Sequence, residues 1–151
     1  MLQRIQTLYL LIASVSMLLA SIFPLARFIM LNGDVVIFKA MGIYVNGYLN
    51  FSTWALMVIG AITSLLAVFT IFLYKGRLLQ IRLTIFNTLI MVGFYIFAGF
   101  LFFKIVNSQE IERLWVDFAA FFPLVAIVVN ILAIRRIYAD EALVRSLSRL
   151  R

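Results

Sequence analysis

The chain contains no cysteine and no histidine, and its six acidic residues are outnumbered by 13 basic ones. The missing thiols and imidazoles exclude disulfides, thiolate nucleophiles, c-type haem attachment and the usual ligands of zinc or haem iron. No cofactor and no metal is therefore expected. Charge of either sign is scarce: 13% of the residues are charged and 66% are hydrophobic. With a mean hydropathy of +1.13, a chain of 151 residues cannot fold its apolar surface away from water as a soluble globule. Lipid is the expected solvent.

Uncharged stretches run from Ile5 to Ala26, Ala40 to Tyr74, Leu83 to Phe103 and Phe118 to Ile134. A helix needs roughly 20 apolar residues to cross a bilayer core of about 30 Å. The expected fold is an all-α integral membrane protein in one domain, a four-helix transmembrane bundle with spans near 5–31, 52–74, 82–104 and 115–136. Arg4 ahead of an apolar run imitates a signal peptide. The run is too long for a typical h-region, and Phe23-Pro24-Leu25 is a poor cleavage site, so the first helix is expected to stay.

The net charge of +7 could suggest nucleic acid, but the basic residues cluster at span ends, as topology requires, and no nucleic-acid partner is expected. With both termini in the cytoplasm, nine basic residues lie inside: Arg4, Lys75, Arg77, Arg82, Arg135, Arg136, Arg145, Arg149 and Arg151. Four lie outside: Arg27, Lys39, Lys104 and Arg113. The positive-inside rule selects this orientation. Trp54, Tyr74 and Trp115 fall where interfacial aromatics belong.

The second uncharged run is too long for one span and carries Gly42, Asn46, Gly47 and Asn50. Residues 33–51 are therefore expected to form an extracytoplasmic loop, with the second helix starting near Ser52 and Thr53. Val35 to Phe38 and Ile43 to Val45 are rich in β-branched and aromatic residues, and Asn46-Gly47 is a strong hairpin signal. A small β-hairpin sheet of two or three strands should cap the bundle, its apolar face packed on the helix ends or on another protein.

No ionisable residue falls inside the spans, which removes the default mark of a proton relay or transport path. Arg27, Lys104 and Asp117 sit where side chains can snorkel to the interface. The strongest intramembrane polar residues are Asn87 and Asn130, at similar depth in the third and fourth spans. A hydrogen bond between their amides, with Thr70, Thr84 or Thr88 nearby, is expected, because an unpaired amide in hydrocarbon is costly. Gly60 and Ser64 form a small-x-x-x-small face for close helix packing. Pro123 should kink the fourth helix. After Ile134, Leu143, Leu147 and Leu150 recur at helical spacing while Arg145 and Arg149 fall on another face. This cytoplasmic tail, 137–151, reads as a basic amphipathic helix that docks on lipid, on the bundle or on a partner.

The opening Met1-Leu2-Gln3-Arg4-Ile5-Gln6-Thr7-Leu8-Tyr9-Leu10-Leu11, the Phe23-Pro24-Leu25 triplet and the closing Asp140 to Ser146 and Arg149-Leu150-Arg151 together carry a resemblance. The chain resembles the "domain of unknown function 4293" family of Bacteroidota inner-membrane proteins over its whole length, departing at Leu147-Ser148, where that family often has Ala-Asp. The resemblance implies the bacterial inner membrane as compartment and brings no activity and no catalytic residues.

The residues leave two functions open. One is a non-catalytic accessory or assembly subunit of a larger membrane complex, with membrane lipid and a protein partner, or a second copy, as neighbours. The other is a small transporter or channel for a neutral or lipid-like solute, with Asn87, Asn130 and the Pro123 kink as working parts. An enzyme is not expected, since no acid, base and nucleophile can be assembled at one depth.

Overall fold

The computed structural model describes residues 2–73, 76–108 and 111–148, with side chains over 5–73, 76–107 and 111–143. The chain order is α1 (Leu2–Ile22), β1 (Ala26–Met30), β2 (Val35–Phe38), β3 (Gly42–Val45), β4 (Tyr48–Ser52), α2 (Trp54–Phe72), α3 (Arg77–Ser108), β5 (Ile111–Val116), a 3-10 turn (Phe118–Phe121) and α4 (Phe122–Ser148). Four of these helices are long and apolar enough to cross a membrane.

The expectation of an all-α bundle is corrected: a five-stranded antiparallel sheet, ordered β4-β3-β2-β1-β5, accompanies the helices. Two strands come from segments that the sequence assigned to spans or their borders. The first span was expected to reach residue 31, but α1 stops at Ile22. Pro24 has no N–H to donate and disfavours helical backbone in the residue before it, so the chain turns and continues as β1. β5 lies just ahead of the fourth span and pairs with β1, from Ala26↔Val116 through Arg27↔Trp115 to Ile29↔Arg113. Arg27 Nε reaches Asp117 Oδ2 at 3.0 Å beyond the end of that ladder.

The hairpin itself forms at the expected place. Asn46 and Gly47 both have positive φ, 50° and 87°, the requirement of a two-residue primed turn between β3 and β4. Asn46 also ties this turn to the preceding one: its Oδ1 accepts from the Val35 N–H at 3.0 Å and its Nδ2 donates to Asp34 Oδ1 at 2.7 Å.

Alternation along the strands gives the sheet two faces. Ala26, Phe28, Val36 and Phe38 are buried on the inner face in one apolar core with Leu101 and Ile105 near the end of α3. Phe28 and Phe102 meet with ring centroids 5.5 Å apart. α3 is 32 residues long, about 48 Å at 1.5 Å per residue, so its last turns project beyond the bundle and support the sheet. At the opposite end, Gln6 Nε2 donates to the Arg136 carbonyl at 3.4 Å, and Arg77 contacts Asp140 through both its carbonyl (3.2 Å) and its carboxylate (3.4 Å). The start of α1, the start of α3 and the late part of α4 therefore share the end remote from the sheet.

Candidate functional site: the polar interior and the sheet face

The inward stripe of α3 changes character along its length. Gln80, Thr84 and Asn87 are buried nearer its start, and Met91, Phe94 and Leu101 follow toward the sheet. Spacings of three, four and seven residues keep all six on one face. Asn130 on α4 and Thr63 and Thr70 on α2 are also fully buried. Toward the sheet, the interior is filled by Met17, Leu56, Met91 and Phe94, none of them exposed.

The two amides are treated differently. Asn130 Nδ2 donates to Thr88 Oγ1 at 3.0 Å and approaches the Thr84 carbonyl at 3.4 Å and Met91 Sδ at 3.8 Å. Thr88 and Thr84 donate in turn to carbonyls one turn back, at 2.8 and 2.7 Å. Asn130 thus links α4 to α3 through a threonine rather than through Asn87. Both side-chain polar atoms of Asn87, and Asn130 Oδ1, are buried without a hydrogen-bond partner.

Gly60 and Ser64 both face α1. A Cβ on Gly60 would run into the Ser21 hydroxyl and lie 3.5 Å from the Phe94 ring. Ser64 and Ser14 form a reciprocal clasp: their hydroxyls are 2.9 Å apart, and each donates to the other's carbonyl at 3.1 Å. Sequence reasoning missed Ser14 and Ser21, because the hydrogen-bond partner of Ser14 lies 50 residues away on α2, and Ser21, which donates to the Met17 carbonyl in its own helix, matters through its packing against Gly60 of α2.

The tail does not begin a new helix. α4 runs unbroken from Phe122 to Ser148, and Asp140, midway along its later part, meets Arg77. Leu143 is half exposed. The side chains of Arg145 and Leu147, and Arg149 and Leu150 altogether, lie outside the described residues.

A second surface was not foreseen. On the outer face of the sheet, directly opposed residues make one continuous row across all five strands: Trp115, Arg27, Ile37, Tyr44 and Leu49. Arg113, Ile29 and Val35 form a shorter parallel row. Lys39 Nζ sits 5.5 Å from the Tyr44 ring centroid. Trp115 and Leu49 are each about half exposed, at 47% and 53%.

Among the described residues, no cluster of three or more acidic side chains could hold a metal ion. No curated protein and no solved structure matches the chain. A family match covers residues 2–150, and the chain belongs to the family described as Domain of unknown function (DUF4293).

Proposed function

We propose that this protein is a non-catalytic accessory or assembly subunit of a larger complex in the bacterial inner membrane, with both termini cytoplasmic, and that the outer face of its sheet meets the partner. The row Trp115, Arg27, Ile37, Tyr44, Leu49 carries the proposal. The watery face of an antiparallel sheet ordinarily alternates to polar residues. Here Trp115, Tyr44 and Arg27 are the side-chain types that dominate the energetic centres of protein interfaces, and Ile37 and Leu49 extend the row with apolar surface.

Two further observations support this function over transport and over catalysis. The buried polar stripe ends at the Asn87 level, and Met17, Leu56, Met91 and Phe94 close the interior between it and the sheet, where a solute path would need polar lining. The described carboxylates are spread over the molecule: Asp34 is in a turn bonded to Asn46, Glu112 is beside Arg113 on β5, Asp117 is paired with Arg27, and Asp140, with Glu141 next to it in sequence, lies with Arg77 at the far end. The proposed orientation rests on the nine-to-four basic asymmetry. It places the sheet outside and the Gln6–Arg136 and Arg77–Asp140 contacts inside.

Purification in mild detergent, with mass spectrometry of associated chains, tests this function. Ile37→Lys with Leu49→Lys should abolish a stoichiometric partner while leaving the protein folded and membrane-inserted. A partner retained by that variant would refute the sheet as the contact, and a protein purifying alone from native membranes would refute the subunit role.

A further inference from the structure

Where the sheet meets the bundle, the protein holds an apolar cavity of about 220 Å³, open on one side and lined by residues that include Ala26, Phe38, Ala98, Gly99, Ala120 and Pro123. We propose that it holds one acyl chain of a membrane phospholipid, an inference that rests on the four helices spanning a bilayer.

The recess exists because small residues interrupt a wall otherwise built from Phe38, Phe94, Tyr95 and Phe102. Ala98 and Gly99 on α3 face Ala120 in the 3-10 turn and Pro123 at the start of α4, with Ala26 of β1 above. A Cβ on Gly99 would meet nothing within 4 Å. Tyr95 and Val116 line the cavity and are themselves 39% and 48% exposed, which places the opening on the outer surface rather than toward the bundle axis.

Depth decides what can enter. Phe94, at the cavity floor, approaches Gly60, six residues inside the start of α2 at Trp54, or about 9 Å below that helix end. Phe94 to Phe102 spans about 12 Å along α3. The cavity therefore occupies the outer part of a hydrocarbon core about 30 Å thick. Above it, Ala26 and Val116 of the lining are followed by the exposed ion pair Arg27–Asp117, the kind of group that marks the polar boundary. Sites that enclose a whole drug-sized molecule are roughly 300–1,000 Å³. This smaller recess, apolar and open sideways, suits part of a long molecule whose remainder lies in the bilayer.

The probe is phosphatidylethanolamine carrying a diazirine on one acyl chain, reconstituted with the full-length protein, photolysed and mapped by peptide mass spectrometry. Label on the segment from Tyr95 to Phe102 should exceed, on the order of tenfold (about 1.4 kcal/mol of preference), that on Leu65 and Phe69, which are exposed on α2. Filling the recess from either wall, with Ala98→Phe or Ala120→Phe, should reduce the label to the α2 level. Gly93→Phe, which adds the same bulk at an exposed α3 position outside the lining, should leave it unchanged. Equal labelling of α2 and α3 in the unaltered protein overturns the proposal whether or not the variants fold, as does enrichment that survives both fillings. Absence of label from both helices would instead overturn the spanning arrangement, and the proposal with it.

Discussion

Replacing Asn87 by Leu should leave the protein as stable as before or make it more stable by up to about 2 kcal/mol, whereas the same change at Asn130 should weaken it. The two residues look alike in sequence, and both are buried to within 1% of full exclusion. Asn87 has two buried polar atoms without partners, while Asn130 donates to Thr88 Oγ1 at 3.0 Å. An amide buried without compensation costs about 1–3 kcal/mol by protein mutational data, and exchanging it for an apolar group of the same branching is neutral to stabilising. Removing an interhelical hydrogen bond in a membrane costs about 0.6 kcal/mol on average and up to about 1.7. The double variant should show little coupling, below about 0.5 kcal/mol, because no bond joins the two amides. Sodium dodecyl sulfate titration in mixed micelles, followed by circular dichroism, gives all three values. A loss above about 1 kcal/mol for Asn87→Leu would show that this amide is satisfied in the folded protein and would refute the reasoning.

At the α1–α2 contact, Gly60→Val should destabilise by about 1–3 kcal/mol through overpacking against Ser21; the same titration checks it, and an unchanged midpoint would mean that the helices are further apart. Ser14→Ala and Ser64→Ala should each cost about 0.6–1.7 kcal/mol and be strongly non-additive, since the clasp between them is shared. Gly47→Val forces a β-branched residue to a φ of +87° and should cost about 1–2 kcal/mol, detected as increased proteolysis at the β3–β4 turn. Cysteines placed at Asn46 and Arg136 in this cysteine-free chain should label oppositely with a membrane-impermeant thiol reagent in spheroplasts, Asn46 accessible and Arg136 protected.

What sequence could reveal follows the range of the forces involved. The presence of four apolar spans and the Asn46-Gly47 turn depend on local properties, apolar length and the tolerance of positive φ, and both are found, although the first helix ends at Ile22 and not near residue 31. β1 and β5 depend on pairing between segments some 90 residues apart, as in Arg27 with Asp117. In a window around Ala26–Met30, the mostly apolar stretch reads as a continuation of helix to the interface, and only Pro24 and the charge of Arg27 argue otherwise. The polar stripe was half legible: Asn87 and Asn130 stood out as amides within spans, but which of them finds a partner is set by the rotation of α3 against α4. Gly60 and Ser64 signalled a close helix approach without naming α1 as the neighbour. The outer row of the sheet was hidden for the same reason as β5, because it exists only once five strands are in register.

Site-specific photo-crosslinking within native membranes tests the sheet contact most directly. A photoreactive amino acid at Tyr44, between Ile37 and Leu49 in the outer row, should give one discrete heavier species containing a second protein chain. The same group at Leu65, exposed on α2, should give only lipid adducts. Lipid adducts alone at both positions, with the protein folded and inserted, would contradict the claim that the sheet face is a protein-binding surface.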